Sequence, residues 1–196
     1  MHIYLVRHGR TIAPDAYNGS TDIALSPEGR EQARRSAALL TSVAFDVCYC
    51  SPLQRCRDTL ELLGVTVDTT IADELREIDF GHWEGLTLAQ IAERDQTNLD
   101  RWQRQRGRFS FPGGEGIEMF SRRVADWFDQ LATHGHQRAL VVTHAGVIRR
   151  ALCHLFRFGH DHVYSFGIKE AGITLVNRQP DFCVLEFLNR GGDSDG

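Results

Sequence analysis

No apolar run in this sequence is long enough to span a bilayer, so a membrane partner is not expected. The first residues also lack a basic region followed by an apolar stretch and a small-residue cleavage site, which leads to the expectation of a cytoplasmic location. Cysteine is sparse. The five (Cys48, Cys50, Cys56, Cys153 and Cys183) are odd in number and show no C-x-x-C pair. That pattern fits neither a disulfide framework nor a zinc ribbon, and reduced, mostly buried thiols are expected. Three close pairs look metal-like: Cys48 with Cys50, His134 with His136, and His160 with His162. Neither histidine pair has carboxylates or thiols at metal-site spacing, and Cys48 with Cys50 as a metal pair is only the rival to the buried-thiol reading, so neither a metal nor a cofactor is expected. A basic excess is absent too. Lys and Arg total 22 against 26 Asp and Glu, a net charge of -4. This argues against nucleic acid as a partner but leaves room for a local cationic pocket. No internal repeat is visible.

What remains is ordinary globular material. The chain has 196 residues, 42% hydrophobic and 24% charged, enough for one domain with a full core. The spacing predicts a strand over residues 2–7. Ser26 as N-cap and Pro27 at N1 predict a helix running to about Leu40. A second strand is expected from Phe45 to Cys50. Ser51-Pro52 repeats the cap-plus-proline signal and opens a helix to about Leu63. A short β-like run covers 65–71. Residues 86–108 are polar and read as partly helical. Phe111-Pro112-Gly113-Gly114 breaks the chain. An amphipathic helix then spans about 116–134, with Phe120, Val124, Trp127, Phe128 and Leu131 on one face. Residues 139–143 read as a strand, a helix begins near Val147, and 173–176 with 183–188 suggest a late hairpin. A frayed tail is expected from Arg190.

Strands alternating with helices imply an α/β three-layer sandwich, its mixed sheet mostly parallel and covered by helices on both faces. Arg7, His8, Ser51 and His144 all fall just past the C-terminal ends of predicted strands, along one sheet edge. Distant residues therefore converge on one site. A neutral imidazole there can attack, and an adjacent guanidinium can fork a phosphate.

Four segments stand out together: Leu5-Val6-Arg7-His8-Gly9-Arg10-Thr11; Ser51-Pro52-Leu53-Gln54-Arg55-Cys56; Glu74 to Gly85, which contains Glu77 and Phe80-Gly81-His82-Trp83-Glu84-Gly85; and Val141-Val142-Thr143-His144-Ala145-Gly146. In this order they resemble the histidine phosphatase (phosphoglycerate mutase-like) superfamily over nearly the whole chain. Within it, Phe80 to Gly85, Pro112 to Glu115, Phe120 and Arg122 to Val124 are similar to the α-ribazole phosphatases. The resemblance implies a single domain over 1–196 with a lid-like insertion around 86–115. It also implies a metal-independent phosphomonoesterase acting on a small phosphate monoester, α-ribazole phosphate in the narrower match. His8 is then the nucleophile that becomes phosphohistidine. Arg7 and Arg55 grip the phosphoryl oxygens, His144 donates to the same group, and Glu77 protonates the leaving alcohol. Asn18, Ala145 and Trp102 join the substrate-binding set. The chemistry independently asks for such residues, because phosphoryl transfer needs little beyond positioning and charge stabilisation. A carboxyl beside bound phosphate is favoured in its protonated form by like charge.

One position departs from the family pattern. Pro14 stands where an Asn is usual and offers no donor; Asn18 either replaces that donor or only makes the turn with Gly19. The basic run Arg101 to Arg108 admits a lid over the substrate, with Trp102 or Phe109 near its organic part, or a solvated helix face. Competing functions are a broad-specificity phosphatase, a phosphoglycerate mutase, and a catalytically silent phosphate-binding module. The oligomeric state is left open, a homodimer included.

Overall fold

Alternation along the strand Arg138–Thr143 sets the layering. Ala139 and Val141 join one buried cluster, whereas Leu140 and Val142 join another. A strand buried on both faces needs helices on both. The computed structural model describes residues 1–192. In chain order the elements are β1 (His2–Arg7), α1 (Pro27–Ala37), β2 (Val47–Cys50), α2 (Gln54–Leu63), β3 (Thr69–Ile71), α3 (Leu88–Gln105), α4 (Ile117–Leu131), β4 (Arg138–Thr143), α5 (Ala145–Leu155), β5 (Ile173–Arg178) and β6 (Cys183–Arg190). The sheet order is β3-β2-β4-β1-β5-β6. The first four in that order are parallel; β5 runs antiparallel to β1, and β6 antiparallel to β5. The cluster containing Ile3, Leu5, Tyr49 and Val141 packs under α4 and α5, and the cluster containing Val6, Cys48, Cys50 and Val142 packs with Leu40, Cys56 and Leu63. This is the expected three-layer α/β sandwich with a mostly parallel mixed sheet. All five cysteines are free thiols, four of them buried.

Local chemistry explains most boundaries. Ser26 Oγ accepts from Gly29 N at 3.0 Å, with Pro27 opening α1 as expected. Thr87 and Gln90 form a reciprocal capping box before α3, Thr87 N donating to Gln90 Oε1 and Gln90 N to Thr87 Oγ1. Residues 86–108 are therefore more helical than their polarity suggested. The interruption at Asp95 (φ -147°) coincides with its carboxylate accepting from Trp83 Nε1 at 2.9 Å.

Other elements differ from the sequence reading. The second helix begins at Gln54 and not at the Ser51-Pro52 signal, since the Ser51 hydroxyl is drawn away to His144. Its first N–H, at Gln54, is met instead by Asp22 Oδ1 at 2.7 Å. The strand foreseen over 65–71 shrinks to an exposed three-residue edge, Thr69–Ile71. The last strand runs through Arg190, and the Gly192 carbonyl accepts from Arg35 Nε and Nη2. The chain is thus still tied where fraying was expected; residues 193–196 of that expected tail lie outside the described residues.

No helix among the described residues is long and apolar enough to cross a membrane.

Candidate active site

Parallel strands β1, β2 and β4 end side by side, and each end delivers one polar group. Past β1, the His8 backbone is pinned on both sides: its N–H donates to Thr143 O at 2.9 Å, and its carbonyl accepts from Ala171 N at 3.1 Å. Gly9 follows because no side chain fits there; a Cβ would lie 2.3 Å from the Gly29 carbonyl oxygen of α1. Gly9 N in turn donates to Thr59 Oγ1 on α2. The imidazole of His8 is thereby fixed. Its Nδ1 lies 2.8 Å from Gly9 O. A carbonyl only accepts, so Nδ1 carries the proton and Nε2 keeps its lone pair. Burial, then the Arg7 and Arg55 guanidiniums, hold the His8 imidazole well below the ordinary histidine range.

Arg7 donates through Nη1 to Ile168 O at 2.8 Å and lies 3.8 Å from Glu170 through Nη2. Its Nε is buried and has no protein partner, which leaves a charged donor for a ligand. Arg55, only 1% exposed, makes four hydrogen bonds. Nε donates to His144 Nδ1 at 3.3 Å, Nη1 to Thr21 O at 2.8 Å, and Nη2 to Asn18 O and Gly19 O at 3.2 and 2.7 Å. Of the guanidinium's five N–H groups, that leaves one, on Nη1.

His144 follows β4 directly and is the residue from which α5 starts, two positions earlier than the sequence suggested. It is fully buried, its ring 5.2 Å from that of His8. Because Arg55 Nε can only donate, His144 Nδ1 accepts and Nε2 donates to Ser51 Oγ at 2.8 Å. Both ring nitrogens are occupied by protein. The expected direct donation from His144 to a phosphoryl group therefore does not match this arrangement; the histidine braces Arg55 instead. Burial, then Arg55, His8 and Arg7, keep it well below the usual range and neutral.

Glu77 arrives on the segment after β3. Thr143 Oγ1 donates to Leu75 O, and Arg123 binds Glu74 O and Arg76 O while pairing with Glu115. These bonds pin the segment so that Glu77 Oε2 accepts from Gly146 N at 2.9 Å and Oε1 from Ile78 N at 3.0 Å. The lack of a side chain at Gly146 leaves Glu77 this place, since a Cβ there would lie 2.2 Å from Glu77 Oε1 and push the carboxylate aside.

A cavity of about 270 Å³ joins Arg7, His8, Arg55, Glu77 and Ala145, and its outer wall includes Asp15, Tyr17, Phe80 and Glu170. Six of the predicted residues, Asn18 included, thus share one cavity, with His144 behind it. Ala145 lines it as the first residue of α5, whose start has no side-chain cap, a setting that favours anions. Pro14 and Asn18 also line it, but the Asn18 amide donates to Ala13 O and Ala16 O at 2.9 and 3.2 Å. Asn18 therefore makes the turn and does not replace the missing donor. Trp102 is not in the wall. It packs edge-on to Tyr17 and Trp83, one ring removed from the cavity. Phe109 is 1% exposed and stacked on Trp83. Among the described residues, none from 86–115 lines the cavity, and Arg101 and Arg104 are exposed. The aromatic faces at the cavity belong to Tyr17 and Phe80, which sequence reasoning passed over, as it did Glu170. Among the described residues, no group of three or more His, Cys, Asp or Glu side chains is placed to hold a metal ion.

An imidazole with one free nitrogen, one buried and one half-buried guanidinium, and a carboxyl at the mouth of a mostly parallel α/β sheet define a phosphoric monoester hydrolase. The chain belongs to the histidine phosphatase superfamily (branch 1), whose family model matches residues 3–191. It is 30% identical over 194 residues to the adenosylcobalamin/alpha-ribazole phosphatase of Escherichia coli K12, covering 96% of each chain. It is 29% identical over 192 residues to phosphoserine phosphatase 1 of Hydrogenobacter thermophilus, covering 95% of this chain and 91% of that one. The crystal structure of the alpha-ribazole phosphatase from Shigella flexneri superposes with a TM-score of 0.90 at 29% identity, over 97% and 96% of the two chains.

The two buried histidines predict an acid-side weakness. A histidine whose pKa is lower folded than unfolded stabilises the protein fully above the unfolded value near 6.5 and loses that contribution as pH falls below it. The loss is up to about 1.4 kcal/mol per pH unit for each residue. The urea midpoint should therefore drop between pH 6.5 and 5.0, and replacing His8 and His144 by Asn should flatten that slope. An equally steep fall in the double variant would contradict the neutral, buried assignment.

Proposed function

We propose that the protein hydrolyses phosphate monoesters through a phosphohistidine on His8, with α-ribazole phosphate as its substrate. The observation that carries the reaction is the His8 Nδ1 contact to Gly9 O, which leaves Nε2 nucleophilic beside Arg7 and Arg55. In the first step Nε2 attacks phosphorus, a P–N bond forms, and the P–O bond to the alcohol breaks. Glu77 gives its proton to the departing oxygen. In the second step water attacks phosphorus, Glu77 takes the water proton, the P–N bond breaks, and inorganic phosphate leaves. Arg7 Nε, the remaining Arg55 N–H and the α5 start stabilise the equatorial oxygens as charge spreads over them. His144 and Ser51 hold Arg55 in register.

The substrate reading rests on the outer wall. Its aromatic faces, Tyr17 and Phe80, suit a planar base, and its carboxylates, Asp15 and Glu170, face any anionic leaving group with like charge. The cations lining the cavity, Arg7 and Arg55, serve the phosphate end. A neutral nucleoside-like alcohol fits this wall better than a carboxylated one such as phosphoserine. One observation favours a second reading, a broad-specificity sugar phosphatase: about 270 Å³ is below the usual range for drug-sized ligands, so a bulky base has to rest at the mouth.

One measurement tests the reaction and a second separates the two substrate readings. Glu77→Gln should cost about a hundredfold or more in kcat on alkyl phosphates and much less on aryl phosphates, whose leaving groups need little protonation; equal losses on both would point to a structural carboxyl. On a panel of monoesters, kcat/KM for α-ribazole phosphate should exceed that for O-phosphoserine and for hexose phosphates by about tenfold or more. Faster turnover of the hexose phosphates would favour the second reading.

A further inference from the structure

Among the described residues near the site, Glu84 is the carboxylate with the densest set of hydrogen-bond donors, yet it does not itself line the cavity. Its Oε1 accepts from Ser20 N and Phe80 N, each at 2.9 Å, and both oxygens lie 3.1 Å from Gly19 N. Its Oε2 also accepts from Thr21 N at 3.1 Å and from the Thr21 hydroxyl. The N–H side of residues 19–21 is thus folded around one carboxylate. The carbonyl side of the same loop is folded around Arg55, through Asn18 O, Gly19 O and Thr21 O. The loop has no slack. A Cβ on Gly19 would sit 1.7 Å from Ile78 O and 2.8 Å from Glu84 Oε1, and Ser20 Oγ donates to Asp79.

We propose that Glu84 is a positioning residue for Arg55, acting through the peptide groups of residues 18–21. The physical basis is polarisation in series. A carboxylate on the N–H side and a guanidinium on the C=O side strengthen the same peptide dipoles, and chains of such bonds reinforce one another where water is excluded. With the loop held, its carbonyls fix the guanidinium plane, and Nε stays on His144. Without the carboxylate, the 19–21 N–H groups lose their common acceptor, the loop drifts, and Arg55 loses the frame that aims its remaining N–H and its charge at the phosphoryl site. The Glu84 charge also lies close enough to favour the protonated Arg55. Glu84 thus acts on the phosphate end of every substrate and not on the choice of alcohol.

This inference rests on Arg55 facing the phosphoryl group, and a double-mutant cycle separates the two claims. The affinities for inorganic phosphate and for orthovanadate are measured as competitive inhibition constants. The proteins are wild type, Glu84→Gln, Arg55→Ala and the double variant, with the unfolding midpoint recorded for each. Arg55→Ala should weaken both anions, and an unchanged affinity would overturn the placement of Arg55. Glu84→Gln should weaken both anions about tenfold, with the ratio of kcat/KM values between two leaving groups unchanged. The double variant should be no weaker than Arg55→Ala alone. Additive losses, or a lower unfolding midpoint with unchanged anion affinity, would overturn the role of Glu84. If Glu84→Gln does not fold, Glu84→Asp enters the same cycle: it keeps the charge, shortens the reach, and should give a smaller loss that again vanishes in the Arg55→Ala background.

Discussion

Burying a guanidinium is costly unless its N–H groups find partners, because an unpaired ion in a low-dielectric interior loses several kcal/mol of hydration. Arg55 is almost fully buried, and the surrounding chain is arranged to meet that demand. Three carbonyls of residues 18–21 and the ring of His144 take its hydrogens. To supply them, the loop after β1 has to fold back over the start of α2, and β4 has to end beside β2. The same requirement explains the altered helix start. Ser51 braces His144, so the first N–H of α2 is satisfied from the loop by Asp22.

A cation held this way sets the state of its neighbours. His8 and His144 lie within the field of Arg55 and Arg7, which together with burial keeps both imidazoles neutral. Neutrality is what the proposed nucleophile needs, and burial supplies most of it, helped by the same two cations proposed to hold the phosphate. The arrangement is electrostatically preorganised: charge is in place before substrate arrives, and little reorganisation remains for the transition state. Glu77 completes it from the opposite side, held on the Gly146 amide at the start of α5.

The parts legible in the sequence were those encoded locally or by periodicity. The apolar run before Arg7-His8, the Ser26-Pro27 cap and the α4 stripe of Phe120, Val124 and Leu131 predicted elements that the fold contains, and strand ends predicted which residues would meet. The parts not legible depend on long-range partners. A serine before a proline looks like a cap until a histidine 93 positions away takes its hydroxyl. Asn18 looked like a phosphate donor, but its amide is consumed within its own turn. Trp102 in a basic helix looked like a lid, but an aromatic cluster with Trp83, Phe109 and Phe111 is a better place for its ring. Tyr17, in a loop with no periodic signal, occupies the wall in its stead. Glu170 carried no local signature, and Glu84 stood inside the Phe80–Gly85 motif without showing its role, since each is defined by the cations or amides that surround it.

The central claim is that the Gly9 carbonyl selects which nitrogen of His8 reacts. The direct measurement is to rapidly quench the enzyme during turnover of a phosphate monoester, digest it under alkaline conditions, and identify the phosphohistidine isomer and its position by phosphorus NMR and mass spectrometry. Phosphate on Nε2 of His8 is the predicted result. Phosphate on Nδ1 of His8, phosphate on His144, or turnover without any phosphohistidine would contradict the account.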